Sequence, residues 1–333
     1  MTMASFLFFA MSFLFISTPE LKRYEFSEPH MGTVFRVQLY AASEEMARKA
    51  ADAGFARVKV LNAILSDYQN DTELMKLCQQ AGKGPVKVSD ELFTVLQESQ
   101  RWSERTGGQF DVSIGPLVQL WRRARRTREV PSAEAIAKAK TLVDYRAVRL
   151  HPDQQTVELT KPGMRLDLGG IAKGYVADEV LKVLSASGIT SACVAAGGDV
   201  TVSARPPGSE GWVIAISALE KNGQPPVKLL LENQAVSTAG DLEQYVEIDG
   251  KRYSHIVDPS SGLGIVGRRS CTVVSARGLV SDGADTAAYL LGHIQGIAMI
   301  DQTPGVACLF LVKEGEAVKL YPSKAWSKLR IKQ

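Results

Sequence analysis

The chain has 333 residues, of which 45% are hydrophobic and 23% are charged, and its formal net charge is +3. This composition is ordinary for a soluble globular protein, and the length allows one large domain or two smaller ones. The net charge is too small to indicate nucleic-acid binding. One basic cluster lacks interleaved aromatic residues, so we interpret it as a solvated loop or helix face; it comprises Arg122, Arg123, Arg125, Arg126 and Arg128.

The N-terminus carries an apolar run from Phe6 to Ile16, in which only Ser12 is polar. The run is too short for a membrane span and has the length of a signal-peptide core. No Lys or Arg precedes it, no clear A-x-A site follows it, and no cysteine follows that could carry a lipid. We expect residues 1–20 to be a signal peptide or an N-terminal anchor, unless a misplaced start codon created the run. Export would place the protein in the periplasm or on the extracytoplasmic face of the inner membrane, where an anchor would add weak membrane association.

Residues 22–333 remain after this leader. The first half of this stretch begins with a strand and continues mainly with helices. Thr33 to Tyr40 alternates and predicts a strand. Ser43 and Ser89 are good N-caps for two long amphipathic helices, the second closed by Gly107 and Gly108. Gly115-Pro116 breaks the chain after an apolar stretch. Further predicted elements are a short helix over 132–143 and a hairpin formed by 148–150 and 156–159.

The second half predicts many short strands and two helices. One helix begins near Ile171 and ends before Gly188, and the other covers Gly278 to Leu291. Asp249-Gly250 is the signal for a type I′ hairpin. The other predicted strands are 192–196, 200–204, 212–216, 227–231, 236–238, 270–275 and 308–312. Because the order has no regular βαβ rhythm and no internal repeat, the pattern favours an α+β fold with mixed or antiparallel sheets flanked by helices.

The stretch from Leu166 to Asp178, LDLGGIAKGYVAD, combines an acid, two glycines and a lysine at the start of a helix. Free N–H groups and the helix dipole favour an anion at such a position. An ordinary strand-to-helix turn would have the same composition, because short glycine-rich loops are common. The stretch alone does not separate these two interpretations.

A second acidic group lies on the predicted helix that begins near Gly278. Asp282, Asp285 and Thr286 share one face, because positions i, i+3 and i+4 are neighbours on a helix. Two carboxylates and a hydroxyl form an all-oxygen set suited to Mg²⁺. The alternative is that Asp282 caps the helix N-terminus.

His255 ends a predicted strand just before the turn at Asp258-Pro259. A histidine in this position can act as a general base, although it can equally be a satisfied structural residue. The four cysteines are widely spaced and include no CxxC pair. Cys193, Cys271 and Cys308 lie in apolar runs, which predicts buried thiols, and the sequence requires no disulfide.

Eight motifs follow one another along the chain: HMGT (30–33), SDYQNDTEL (66–74), GGQFDVSIGPLVQLW (107–121), DLGGIAKGYVAD (167–178), AAGGDV (195–200), AVSTAGD (235–241), HIVDPSSG (255–262) and SDGADTAAYLLG (281–292). They occur in the order of the ApbE family, and the chain resembles an FAD:protein FMN transferase of that family from His30 to about Val312. Each motif alone would be weak, but eight in order are specific. The signal segment lacks the lipobox cysteine of many relatives, and the basic run 122–128 is not a family motif.

The resemblance implies a single α+β domain related to a duplicated T-fold-like core, with FAD and Mg²⁺ in a cleft. It implies that FMN moves from FAD to a Thr or Ser hydroxyl of a target flavoprotein, here a subunit of a membrane redox complex, with release of AMP. Asp282, Asp285, Thr286 and the carbonyl of Gly170 would bind Mg²⁺. The FAD site would be lined by Met31, Tyr68, Gln109, Phe110, Asp111, Asp167, Lys173 and Val257.

The proton of the target hydroxyl needs a base, for which we favour His255, with Asp285 as the alternative. Lys173 could pair with phosphate as a point charge, and Tyr68 could stack on a ring of FAD. Asp167 would repel phosphate, so it would contact the adenine side or orient the turn. Two other functions use the same residues: an Mg²⁺-dependent FAD pyrophosphatase that yields FMN and AMP, and a non-catalytic flavin-binding or delivery protein. A pure binding protein need not retain His255, Asp282 and Asp285.

Overall fold

The protein is described from a computed structural model that covers residues 20–220, 223, 225–242 and 244–332. The predicted leader, residues 1–20, lies outside the described residues except for its last position. Within the described residues, no helix is both long enough and apolar enough to cross a membrane.

In the described residues, helices and short strands are mixed in the first half of the chain, and eight strands follow one another between the last two helices. The strands are β1 (Lys22–His30), β2 (Thr33–Ala41), β3 (Val86–Lys87), β4 (Val148–His151), β5 (Thr156–Leu159), β6 (Ala192–Ala196), β7 (Asp199–Val202), β8 (Trp212–Ala215), β9 (Lys228–Leu231), β10 (Gln234–Gly240), β11 (Tyr245–Ile248), β12 (Lys251–Ser254), β13 (Arg269–Ser275), β14 (Ala307–Glu314) and β15 (Ala317–Pro322). The helices are α1 (Glu44–Leu65), α2 (Glu73–Gln79), α3 (Asp90–Arg105), α4 (Gly115–Thr127), α5 (Ala133–Lys140), α6 (Ala172–Ala186) and α7 (Gly278–Asp301).

The largest sheet has eight strands in the order β1-β2-β6-β7-β10-β13-β14-β15. Every neighbouring pair in it is antiparallel. Three smaller antiparallel sheets combine β3-β5-β4, β8-β9 and β11-β12. The predicted α+β class with antiparallel sheets and flanking helices is therefore confirmed.

The main core lies where the helices cover one face of the eight-stranded sheet. Phe35 from β2 and Phe310 from β14 are fully buried, as are Leu61 from α1 and Val176 from α6. Tyr289 from α7 is buried in the same cluster. This layer holds α6 and α7 on the sheet, and the candidate site forms at their adjacent ends.

Local sequence signals account for many of the element boundaries. The hydroxyls of Ser43 and Ser89 accept hydrogen bonds from the third backbone N–H beyond them, so they cap α1 and α3 as predicted. Asp249 and Gly250 both have positive φ, as a type I′ hairpin between β11 and β12 requires. All four cysteines are buried free thiols, which confirms the prediction for three of them.

The sequence did not predict β1, β15 or α4. Gly115-Pro116 is the start of α4 rather than an interruption, because a proline in the first turn needs no hydrogen-bonded N–H. The end of α4 carries the basic cluster, so that cluster lies on a helix. Helix α7 extends beyond its predicted end, with a break at Gly292, whose φ is 80°.

Candidate functional site

Three buried carboxylates converge beside the N-terminal part of α6. Asp199 begins β7, and Asp282 and Asp285 lie on α7. One oxygen from each lies within 4.8 Å of the others, and each residue is at most 3% exposed. These three residues are the core of the candidate metal site.

A close crossing of α6 and α7 fixes the position of Asp282. A Cβ atom on Gly174 would lie 2.1 Å from the carbonyl oxygen of Gly278, so only glycine allows the two backbones this close. At the crossing, the backbone N–H of Gly174 donates a hydrogen bond of 2.9 Å to Asp282 Oδ2. Helix packing thus places a buried carboxylate against the start of α6.

The N-terminus of α7 is capped by a residue of α6 rather than by Asp282. The two carboxylate oxygens of Asp178 accept hydrogen bonds from the backbone N–H groups of Gly278 and Leu279, at 2.6 and 3.1 Å. The alternative interpretation of Asp282 as a helix cap is therefore wrong. Asp282 lies one turn farther along α7, where its carboxylate is free to join the buried acidic cluster.

Lys173 is the cation of this cluster. Its ammonium donates a short hydrogen bond to Asp199 Oδ2 and lies 3.7 Å from Asp282 Oδ1. These carboxylates, with Asp285, raise the pKa of Lys173 above its ordinary value despite its burial. The position differs from a simple phosphate ligand, because the ammonium already neutralises protein carboxylates.

One ammonium does not balance three carboxylates. Burial raises the pKa of Asp282 to about 7, and repulsion from Asp199 acts in the same direction. Burial and repulsion from both neighbours raise the pKa of Asp285 well above its usual range. The cluster therefore has unmet negative charge, which a divalent cation or additional protons can balance.

The surrounding oxygen atoms fit a hard cation such as Mg²⁺. Thr286 Oγ1 donates a hydrogen bond of 3.1 Å to Asp285 Oδ1, so the hydroxyl lies beside the carboxylate. A Cβ atom on Gly170 would lie 3.0 Å from Thr286 Oγ1, which brings the loop before α6 against the same residue. The predicted set Gly170, Asp282, Asp285 and Thr286 is thus assembled together, with Asp199 added.

A cleft of about 590 Å³ opens near the β1–β2 hairpin. Met31 and Gly32 form the hairpin turn with positive φ and line the cleft, as do Asn62 and Tyr68. The Tyr68 side chain is 64% exposed, and its ring tip lies near Gly32. Two of the predicted FAD-site residues, Met31 and Tyr68, therefore share one open surface.

Asp167 connects this surface to the acidic cluster through the loop that precedes α6. Its Oδ1 accepts a hydrogen bond of 2.8 Å from the N–H of Gly169, and its Oδ2 accepts one of 2.9 Å from Arg122. Burial and the nearby Asp67 raise the pKa of Asp167 to about 6, although Arg122 opposes the shift. The residue holds the turn that carries Gly170, while its predicted place in the FAD site stays a prediction.

Four other predicted FAD-site residues line no described cleft with Tyr68. Phe110 and Val257 are almost fully buried, and Val257 bridges to Gly264. Asp111 Oδ1 accepts hydrogen bonds from the N–H and hydroxyl of Ser113, both at 2.7 Å, so it caps the short helical turn before α4. Burial raises the pKa of Asp111 to about 6. Gln109 is half-buried in the turn after α3.

His255 follows β12 and lies in a hollow with Arg122 and Arg125. Its Nδ1 lies 3.0 Å from the backbone carbonyl of Gln244. A carbonyl oxygen only accepts hydrogen bonds, so Nδ1 carries the proton and Nε2 has the free lone pair. Burial, helped by the charges of Arg125 and Lys173, lowers the pKa of His255 to about 4, so the ring is neutral near pH 7.

Sequence reasoning missed two residues that the structure brings to the site. Asp199 lies in the motif AAGGDV, and its position after two glycines was the only available signal. Arg122 was interpreted as solvated, but only 20% of its side chain is exposed, and it pairs with Asp67 and Asp167. For Arg122 the solvated interpretation is wrong, whereas Arg123, Arg126 and Arg128 are exposed.

Comparison with known proteins identifies the family of the chain. A family model described as the ApbE family matches residues 31–310. An FAD:protein FMN transferase of Treponema pallidum is 31% identical over 307 residues, which are 87% of this chain and 85% of the relative. One of Klebsiella pneumoniae is 31% identical over 303 residues, 90% of this chain and 93% of the relative.

Solved structures give the same result for the fold. The flavin transferase ApbE of Vibrio cholerae superimposes with a TM-score of 0.83 at 27% identity, covering 93% of this chain and 99% of the other. The apo flavinyl transferase ApbE of Pseudomonas stutzeri gives 0.81 at 30% identity, covering 93% and 97%. The predicted resemblance and the prediction of an enzyme are confirmed, since the matched relatives are named as transferases. The chain belongs to the ApbE family.

Proposed function

We propose that the chain transfers FMN from FAD to a Thr or Ser hydroxyl of an acceptor flavoprotein, depends on Mg²⁺ and releases AMP. The observation that carries the proposal is the buried cluster of Asp199, Asp282 and Asp285 in a chain of the ApbE family. A protein that only bound flavin would have no need for three carboxylates packed this closely, because their mutual repulsion destabilises the fold.

Gly170, Asp282, Asp285 and Thr286 would hold Mg²⁺, and Asp199 would complete or support the ligand set. Bound Mg²⁺ would supply charge neutralisation for the pyrophosphate oxygens and the departing AMP. Lys173 would neutralise part of the negative charge of Asp199 and Asp282, because its ammonium lies beside both carboxylates. This role replaces the direct phosphate contact expected from the sequence.

The flavin nucleotide would lie against the cleft that Met31 and Tyr68 line. The exposed ring of Tyr68 offers a flat apolar surface for an aromatic ring of FAD. Asp167, held by Arg122 and the N–H of Gly169, would orient the loop between this cleft and the carboxylates.

His255 is the better candidate for the base. Its neutral ring has Nε2 unprotonated, so it can accept the proton of the acceptor hydroxyl. The hydroxyl oxygen then bonds to the phosphorus of the FMN half, and the bond from that phosphorus to the bridging oxygen breaks, which releases AMP. Asp285 is a weaker candidate, because a carboxylate that binds a cation is a poor proton acceptor.

The test mixes the full chain with FAD, Mg²⁺ and a candidate acceptor, a flavin-carrying subunit of a membrane redox complex. We expect a fluorescent acceptor band in a denaturing gel, a mass increase of one FMN and one AMP released per acceptor, all lost with EDTA. A matched acceptor whose target Thr is replaced by Val should remain unlabelled.

Two other results would overturn the proposal. Release of free FMN and AMP without labelling of any acceptor would indicate an FAD pyrophosphatase. Recovery of intact bound FAD would indicate a flavin-binding or delivery protein. Because all three activities begin with the same bound FAD, the products must be separated by chromatography as well as by fluorescence.

The location of the reaction is a further part of the proposal. The apolar run Phe6–Ile16 supports export, which would bring the enzyme to acceptor domains on the extracytoplasmic face of the inner membrane. Mass spectrometry of the N-terminus of protein recovered from the periplasmic and membrane fractions tests this. An uncleaved chain in the cytoplasmic fraction would contradict it.

A further inference from the structure

In the function proposed above, the first arginine of the basic segment at the end of α4, Arg122, only holds Asp167, yet it also contacts Tyr68 in the candidate FAD site. We propose that Arg122 is a positioning residue, which holds the Tyr68 ring and the Asp167 loop in place so that FAD meets a preformed surface. This inference rests on the proposed function, since it concerns the same substrate.

Arg122 makes three kinds of contact at once. Its Nη1 and Nη2 donate hydrogen bonds to the two carboxylate oxygens of Asp67, at 2.6 and 3.0 Å. Nη2 also donates one of 2.9 Å to Asp167 Oδ2. Its guanidinium carbon lies 4.3 Å from the centroid of the Tyr68 ring. A single side chain therefore links α4, the segment after α1 and the loop before α6.

The contact with Arg122 leaves one face of the Tyr68 ring available for stacking. The guanidinium covers one side of the ring, while Tyr68 as a whole is 64% exposed. The Tyr68 ring tip also lies near the hairpin turn at Gly32. An aromatic ligand ring can therefore stack only on the side away from Arg122, so the arginine determines where that ligand ring lies.

Lysine could not replace these contacts. The planar guanidinium donates to both Asp67 oxygens while it stacks on an aromatic face, whereas an ammonium acts as a point charge. Loss of Arg122 would leave Asp67 and Asp167, which are 7% and 9% exposed, without a cation bound to their carboxylates. Arg165 remains nearby, but it donates its hydrogen bond to the backbone carbonyl of Asp67. Repulsion between the two carboxylates would also move the loop that carries Gly170.

The neighbouring arginines provide internal controls. Within the described part of the chain, the side chains of Arg123 and Arg126 make no hydrogen bond or ion pair, and both are exposed. Arg126→Ala therefore removes a similar charge from the same helix without touching Tyr68 or Asp167. Its effect measures the general contribution of positive charge near the cleft.

The test is equilibrium binding of FAD to the full chain with EDTA present, followed by flavin fluorescence. Ordering one side chain on binding costs about 0.5–1.5 kcal/mol, so Arg122→Ala should weaken FAD binding roughly two- to tenfold. Arg122→Lys keeps the charge and the fold, and should show a loss in the same range. Arg126→Ala should bind FAD with an unchanged Kd.

A double-mutant cycle separates positioning from a general structural role. In a Tyr68→Ala background, Arg122→Lys should change the Kd for FAD by less than about twofold, because the ring it positions is gone. In transfer assays, Arg122→Lys should raise the KM for FAD and leave kcat nearly unchanged. A merely structural role would lower the melting temperature and weaken binding equally in both backgrounds.

Two results would overturn the inference, and they are distinguishable from failure of the proposed function. An Arg122→Lys chain that binds FAD as tightly as the unchanged protein removes Arg122 from the site. An equal loss in both Tyr68 backgrounds shows that the arginine does not act through the ring. If the unchanged protein fails to bind FAD with Mg²⁺ as well as with EDTA, the proposed function fails, and this inference with it.

Discussion

Substitution of Asp282 by Asn tests the electrostatic reasoning at the carboxylate cluster. The amide is nearly the same size as the carboxylate, and its oxygen can still accept the hydrogen bond from the N–H of Gly174. What the change removes is one negative charge beside Asp199 and Asp285. We expect the variant to be less sensitive to pH than the unchanged protein, and to lose stabilisation by Mg²⁺.

The expected size follows from the pKa of Asp282, which rises from 3.8 to about 7. An acid whose pKa is higher in the folded state keeps its proton longer there than in the unfolded chain. Without a divalent cation, the free energy of unfolding therefore falls as the pH rises from about 4 to about 7. A shift of this size corresponds to on the order of 4 kcal/mol, since one pKa unit is about 1.4 kcal/mol.

In the unchanged protein, Mg²⁺ should restore the free energy of unfolding that is lost as the pH rises. A ligand at about 100 times its Kd stabilises the folded state by about 2.7 kcal/mol. In the Asp282→Asn variant the same Mg²⁺ concentration should give little stabilisation, because the site has lost a charged ligand. With EDTA at about pH 8, the variant should be as stable as the unchanged protein or more stable.

The assay is denaturant unfolding across this pH range, with EDTA or with Mg²⁺. Asp52→Asn is the matched control, since Asp52 is exposed on α1 and should change neither the pH profile nor the response to Mg²⁺. The reasoning is refuted if Asp282→Asn loses stability with pH as steeply as the unchanged protein does. An undiminished response of the variant to Mg²⁺ would remove Asp282 from the metal site.

Three further substitutions test other parts of the site. His255→Ala should bind FAD normally but transfer FMN roughly 10²–10⁴-fold more slowly, and a normal rate in a single-turnover assay would exclude it as the base. Gly174→Ala should lower the free energy of unfolding by about 1–3 kcal/mol despite the better helix propensity of alanine, because its Cβ would meet the carbonyl of Gly278. Ser185→Ala on the same helix should be close to neutral in the same denaturation experiment. Asp178→Ala should cost about 0.5–2 kcal/mol through loss of the α7 cap, and an unchanged unfolding midpoint would contradict the capping role.

The sequence predicted those parts of the fold that depend on neighbouring residues. Ser43 and Ser89 act through the first turn of their own helices, and Asp249-Gly250 fixes a hairpin through its own φ angles. The face formed by Asp282, Asp285 and Thr286 follows from helix geometry alone. In each case the interacting atoms are within a few positions of one another, so local rules were sufficient.

The residues that escaped prediction act across the fold. Asp178 caps a helix that begins 100 positions later, and this contact leaves Asp282 free to enter the acidic cluster. Asp199 meets Asp282 and Asp285 only because β7, α6 and α7 converge. No periodicity in the sequence reports that convergence, so the two glycines before Asp199 were the only local signal of its position.

Arg122 shows why composition misleads at such positions. Four more arginines follow it closely in the sequence, which is typical of a solvated helix face. Its partners Asp67 and Asp167 lie 55 and 45 positions away. Arg122 is the arginine of the cluster whose side chain points toward the loop before α6. There it contacts two carboxylates and an aromatic ring. Arg123 and Arg126 remain in solvent, so the same residue type serves two purposes within about one helical turn. The difference lies in which helix face meets the site, and that is decided by the packing of α4 against the rest of the chain.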